Sequence, residues 1–391
     1  MIVQDVQSTL PLLQRDARAE VAAPVRETMA RHMPGLDGVR GFAIILVMLH
    51  HFIPEDRVAT GWWSIFEVIR SASWCGVDLF FVLSGFLITG ILCDTRQEQR
   101  YFARFFWRRA LRIFPLQYAI LIVVLLVLGS VKPINFMAVD AGQLWLWFYS
   151  ANIPMARSGE WRFGKLSHFW SLAVEEQFYL IWPFVVYYLN PRSLFYACIG
   201  CVVGALAIRV AMTAAGFNWI SVYVFTPCRM DGLAYGALIA LMLRQPGGWE
   251  AYAGVFKRIG IAAAGGVVLL AILTNGMSNS HVAVYTFGFT LLVLAFGALV
   301  LQVTRENTFL FSVFNRGWLR FMGTYSYGLY VFNQPVDGFL NHSRMFRDLQ
   351  IEGYGAALIW NVVLGFALTL CLAVPCFHLF ERKFLKLKRY V

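Results

Sequence analysis

The sequence predicts an all-α, polytopic membrane protein of about ten transmembrane helices with both termini in the cytoplasm. Three observations lead there. Of 391 residues, 59% are hydrophobic and only 14% charged, against about 25% charged in an ordinary soluble domain. Mean hydropathy is +0.61, and apolar runs long enough to cross about 30 Å of hydrocarbon recur along the chain. The spans read as roughly 38–54, 74–93, 113–130, 169–189, 194–214, 226–243, 259–274, 281–302, 320–337 and 356–380. With Arg320, at the edge of the ninth span, counted with its loop, 22 of the 33 Lys and Arg fall on the side holding both termini and 8 on the other. The positive-inside rule makes the rich side cytoplasmic. The net charge of +11 is thereby explained by topology, with no nucleic-acid partner needed.

Residues 1–36 are polar, without a 7–15-residue apolar core after a charged start. They read as a cytoplasmic arm rather than a cleavable signal peptide. Residues 37–384 form the membrane domain, and 385–391 a basic cytoplasmic tail. The first span contains "VRGFAIILVMLHHF", with Arg40 and His51 eleven residues apart. At 100° per residue both lie on one stripe, roughly 16 Å apart along the axis. His50 points about 100° away, into a different environment. Two readings stand. Arg40 snorkels to the interface and His51 caps the outer end. Alternatively the stripe lines a polar cavity, where Arg40 supports an anionic or polar ligand and His51 moves a proton.

The second span, "WCGVDLFFVLSGFLITG", carries Asp78 near its outer end, and its Ser84–Gly85 pair suits close helix packing. The third opens with "RYFARFFWRRALRIFPLQY", which sets Arg100, Arg104, Arg108, Arg109 and Arg112 beside aromatics. A topology anchor needs no more than this, but forked guanidiniums also suit the phosphates of a nucleotide or coenzyme A. The next outer loop contains "QLWLWFYSANIP", too short to span and aromatic enough for an interfacial or partly re-entrant segment. The fourth span, "SHFWSLAVEEQFYLIWP", buries Glu175 and Glu176 about two turns in. Adjacent glutamates face different directions, so one is expected to meet His51. A carboxylate on an imidazole fixes its tautomer and stabilises its cation. Glu175 is the expected partner, with Glu176 left for the acceptor or a structural arginine. The sixth span, "TPCRMDGLAYGALIA", holds Arg229 and Asp231, buried charges that need partners. With Asp78 they are candidates either for a polar pocket that binds the acceptor or for structural pairing. The seven cysteines sit mostly in or beside spans, and Cys198-x-x-Cys201 has no second pair. They read as small packing residues, and no metal is expected.

Together these blocks resemble the membrane-bound acyltransferase family 3. Arg40-x10-His51 is similar to that family's arginine-x10-histidine signature. "GVDLFFVLSGFLITG" is similar to its second-span motif, and Arg109 and Arg112 of "RRALRIFPLQY" to its Arg-x-x-Arg pair. "SLAVEEQFYLIWP", "RMDGLAYGALIA", "SYGLYVFNQP" and "FERKF" follow in family order, so that the likeness covers nearly all of 37–384. The resemblance implies a multi-pass protein of the bacterial inner membrane. It would draw acyl groups, acetyl first among them, from cytoplasmic acyl-coenzyme A and place them on hydroxyls. Family acceptors are O-antigen, exopolysaccharide or Nod-factor sugars, some of them lipid-linked, and macrolides. The chain as read ends eight residues after Lys383, without room for the periplasmic domain some relatives carry. That leaves the acceptor class open.

In that reading Arg40, Arg109 and Arg112 bind acyl-coenzyme A, and His51 is the base that a hydroxyl of high pKa requires. Glu175 and Glu176 support it. A transient acyl-histidine is the alternative chemistry. A proton-coupled transporter would also bury Arg, His, Glu and Asp, but no repeat halves are visible.

Overall fold

The computed structural model describes residues 33–54, 64–127, 142–342 and 354–390. Most of the expected arm, and the 128–141 part of the long outer loop, lie outside these residues. The described residues form helices without a strand. In chain order they are α1 Pro34–Phe52, α2 Ser64–Ser73, α3 Gly76–Thr95, α4 Tyr101–Leu121, α5 Leu144–Trp147, α6 Asn152–Ser158, α7 Phe169–Tyr188, α8 Pro191–Ala214 and α9 Trp219–Val224. There follow α10 Thr226–Met242, α11 Gly248–Leu273, α12 Phe289–Val303, α13 Phe309–Phe314, α14 Gly317–Thr324, α15 Ser326–His342, α16 Tyr354–Cys376 and α17 Arg382–Leu387. Wide π turns extend α4 over Ile122–Val127, lead into α12 over Val284–Gly288 and continue α16 over Phe377–Glu381.

Among the described residues six helical stretches are both long and apolar enough to cross a bilayer: Pro34–Phe52, Ser64–Thr95, Pro191–Ala214, Gly248–Leu273, Val284–Val303 and Leu358–Tyr390. The remaining expected spans are of another kind. α10 and α15 have 17 residues each, and α4 carries Arg104, Arg108, Arg109 and Arg112. Short or polar helices need protein around them in a membrane. The bundle is layered accordingly. Of an apolar 18-residue segment within each, 72% is buried in Ser64–Thr95 but 17% in Gly248–Leu273, which turns most of its surface outward.

Two close approaches set the frame of the site. A Cβ at Gly85 of α3 would lie 1.8 Å from the Leu233 carbonyl oxygen of α10, and one at Gly236 2.0 Å from that of Val82. Only glycine lets those backbones meet, the small-residue packing expected of "SGF". Likewise Gly41 of α1 would strike the Leu319 carbonyl of α14 at 1.9 Å. That contact is adjacent to Arg40 and presses α14 against the α1 turn that carries it.

Candidate functional site

Arg40, Arg109 and Arg112 converge. Together with Ser84, Glu175, Tyr179 and Tyr330 they line one cavity of about 110 Å³ among α1, α3, α4, α7 and α15. The two ends of the α1 stripe therefore part company: Arg40 lines this cavity, and His51 does not. Arg40 Nη1 donates to Asp37 Oδ1 at 2.8 Å, one turn earlier. Arg109 lies 5.3 Å from the centre of the Tyr179 ring. Glu175 Oε1 accepts the Ser84 hydroxyl at 2.6 Å, and Ser84 Oγ in turn accepts the Tyr179 hydroxyl at 2.9 Å. Arg40 thus has Asp37, while Arg109 and Arg112 share the one lining carboxylate, Glu175, around an open volume. Such a site fits a ligand bearing phosphate or carboxylate.

His51 sits farther along α1 in a polar cluster of its own. Its Nδ1 donates to the Val47 carbonyl at 2.7 Å, and its Nε2 meets the side-chain amide of Gln334 on α15 at 2.8 Å. The carbonyl can only accept, so the neutral ring carries its proton on Nδ1 and presents the Nε2 lone pair. His50 instead donates to the Arg70 carbonyl of α2 at 2.9 Å, the separate environment its angle predicts.

Two sequence expectations are corrected here. Glu175 is not the partner of His51: the imidazole is held by Val47 and Gln334, and Glu175 belongs to the arginine cavity. Glu176 is not the partner either. It faces a second cavity, of about 480 Å³, on the other side of Arg109 and Tyr179, which line both. Helical spacing gave the 100° divergence of the two carboxylates but not the helices they face. The signal missed was Gln334 in "SYGLYVFNQP", 283 residues from its histidine.

Sequence reasoning also passed over His168, which stands next to the glutamate helix in "SHFWS". Its buried ring lies beside Gln334 and the carbonyls of Lys165 and Val331, yet neither ring nitrogen completes a hydrogen bond. Tyr330 connects the two regions. It lines the arginine cavity, packs against the His168 ring at 5.3 Å between centres and donates to the His168 carbonyl at 2.6 Å.

The expected acceptor residues Asp78, Arg229 and Asp231 line neither cavity, and they are closed on partners. Arg229 Nη2 meets Asp78 Oδ1 at 2.5 Å, and Arg209 Nη2 meets Asp231 Oδ2 at 2.8 Å, all four side chains at most 2% exposed. Arg209 also donates to the Cys228 carbonyl and the Thr290 hydroxyl. Arg229 lies 4.1 Å from the Phe289 ring centre and 5.2 Å from that of Tyr223. Aromatic faces stand in for the hydrogen bonds that its Nε and Nη1 lack. These buried pairs join α3 to α10 and α8 to α10. Among the described residues no group of three or more His, Cys, Asp or Glu side chains gathers as a metal site would need.

A family model described as an acyltransferase domain, that of acyltransferase family 3, matches residues 33–378. The chain belongs to this family. Among curated proteins it is 28% identical over 375 residues to YrhL of Bacillus subtilis. It is 26% identical over 374 residues to the peptidoglycan O-acetyltransferase OatA of Listeria monocytogenes. It is 27% identical over 334 residues to the O-acetyltransferase OatA of Staphylococcus aureus. These matches take in 90%, 90% and 80% of this chain but 55%, 55% and 51% of the relatives. The chain thus spans about half the length of the curated relatives it matches. No solved structure matches it. The apolar helices and the family together make it a multi-pass membrane acyltransferase-family protein.

Proposed function

We propose that this protein is a bacterial inner-membrane O-acyltransferase. It moves an acyl group, acetyl first among the candidates, from cytoplasmic acyl-coenzyme A to a hydroxyl of a cell-wall or exported carbohydrate. The observation that carries the reading is the state of His51, whose Nδ1–H is tied to Val47 so that Nε2 is the basic nitrogen. The guanidiniums of Arg40, Arg109 and Arg112 around the cavity support an anionic donor at the other end. The names of the relatives support an acetyl group and a cell-wall sugar.

In this mechanism Arg109 and Arg112 hold the phosphates of coenzyme A, and the pantetheine arm runs along the roughly 16 Å between Arg40 and His51. The acceptor hydroxyl replaces the Gln334 amide on His51 Nε2. As its oxygen attacks the thioester carbonyl, Nε2 takes its proton. The tetrahedral intermediate expels the thiolate, which recovers that proton from the imidazolium and leaves as coenzyme A. A peptide carbonyl stabilises the imidazolium less than a carboxylate would. The proton is therefore best held briefly.

The test is transfer of isotope-labelled acetyl from acetyl-coenzyme A to glycan by the membrane-reconstituted protein, read by mass spectrometry. His51→Ala should lower it by at least about a hundredfold, the scale of a lost general base, while His50→Ala retains most of it. Equal transfer by wild type and His51→Ala, at matched protein amount, would remove His51 from the chemistry.

A further inference from the structure

The Gln334 side chain has two imidazoles in reach. It meets His51 Nε2 at 2.8 Å and lies beside the ring of His168 as well. The two rings are near enough that a charge on one acts on the other. Yet they are not in the same state. Both His51 nitrogens are occupied, by Val47 and Gln334. His168 is 4% exposed and has neither ring nitrogen bonded. Solvent does not reach so deeply buried a ring, so its missing partner has to come from the protein.

The His168 ring is held in place from several sides. Tyr330, one turn before Gln334 on α15, donates to the His168 carbonyl at 2.6 Å and accepts the Ser171 hydroxyl at 2.5 Å. Its ring lies 5.3 Å from the imidazole between centres, and that of Phe169 lies 4.4 Å away. Residues four apart share a helix face, so α15 presents Tyr330 and Gln334 to the same neighbour. The carbonyls of Lys165 and Val331 also lie beside the ring. Carbonyls only accept, so they favour the ring N–H and leave the other nitrogen as an acceptor. An amide donor suits that nitrogen, and the amide beside the ring is that of Gln334.

We infer that Gln334 is a two-position latch: its amide caps His51 Nε2 while the site is empty and passes to the ring of His168 when an acceptor hydroxyl takes that nitrogen. His168 is then a positioning residue, which receives the displaced amide and takes no proton from the substrate. The inference rests on the acyl-transfer reading, in which a hydroxyl has to reach His51 Nε2. Without a receiver, admitting the hydroxyl would exchange one hydrogen bond for another and strand a buried amide. With His168 the exchange gains a bond, since the hydroxyl goes to His51 and the amide to a ring that had none. The move needs only the side-chain torsions of Gln334, because both rings already lie beside it.

The experiment measures steady-state transfer by the full chain in lipid nanodiscs, from labelled acetyl-coenzyme A to soluble peptidoglycan oligosaccharides of varied concentration. His168→Phe keeps a ring but no nitrogen, and should raise the acceptor KM roughly five- to fiftyfold, with turnover changed less than about twofold. His168→Asn, which restores an acceptor, should recover most of that loss. Gln334→Leu leaves no amide to displace, so its acceptor KM should equal or fall below that of wild type, and adding His168→Phe to it should change KM no further. A KM rise that persisted in the Gln334→Leu background would make His168 a packing residue and overturn the latch. A raised KM in Gln334→Leu itself would overturn it too, since the amide would then bind the acceptor directly. That single variant decides the matter if His168→Phe fails to fold. Transfer by wild type with an unmoved KM in His168→Phe would sink the latch alone, whereas no transfer by wild type would sink the acyl-transfer reading and the latch with it.

Discussion

Two groups of buried charge lie within this bundle, and they are built on opposite plans. Around Arg229 and Arg209 every cation has its carboxylate, Asp78 or Asp231, and the space between is filled by Phe289, Tyr223 and their neighbours. Around Arg40, Arg109 and Arg112 three cations share a cavity with Glu175, and the volume stays open. Ionisable groups in a membrane are costly in both places. The first group offsets that cost internally and so carries structure. The second pairs Arg40 with Asp37 and leaves Arg109 and Arg112 with Glu175 beside open space, where a ligand has room. Pairing and packing therefore separate closed from open charge here, where residue type alone does not.

The comparison is most easily broken at the closed pairs. Removing one partner of a buried pair strands the other, at about 3–5 kcal/mol. Asp78→Ala and Arg229→Ala should therefore each collapse the yield of monodisperse protein and its thermal stability. The apolar double replacement Asp78→Leu with Arg229→Met should recover most of both. A stable Asp78→Ala protein that had lost only acyl transfer would move this pair into the site.

The open cluster should respond the other way. Arg109→Ala and Arg112→Ala should each weaken coenzyme A binding by roughly ten- to a hundredfold, the worth of a charge-assisted contact of about 1.5–3 kcal/mol. Thermal stability should change little. Unaltered binding by calorimetry in both variants would reduce the cluster to a topological anchor.

Glu175 sharpens the contrast further. Since it is the cavity's lining carboxylate and not the partner of His51, Glu175→Gln should tighten coenzyme A binding by about two- to fivefold through loss of like charge. Turnover at saturating donor should hold. A large fall in turnover would restore it to the chemistry.

The smallest effect is expected at an ion pair in neither group. Arg244 donates through Nε and Nη2 to both oxygens of Asp94, at 2.7 and 2.6 Å, near the ends of α3 and α10. Partly hydrated, it should cost no more than about 1 kcal/mol on Arg244→Ala, read from the unfolding midpoint. A loss as large as that at Arg229 would mean that burial does not set the scale.

What the sequence determined by itself was the membrane class, the helical content and the residues worth watching. Hydropathy is summed along the chain, and helical periodicity is local, so both are written in consecutive residues. The stripe of Arg40 and His51, the separate direction of His50 and the divergence of Glu175 from Glu176 all follow from 100° per residue. The tertiary structure decided which groups meet. It joined His51 to Gln334 across 283 residues, set Glu175 beside Ser84, and placed Arg109 and Tyr179 between the two glutamates' cavities. It gave Asp78 to Arg229 and Asp231 to Arg209. The physical reason is that helical angle fixes the face of one helix, whereas partnership depends on which other helix lies against that face. Glycines such as Gly85, Gly236 and Gly41 settle that by where they let backbones touch.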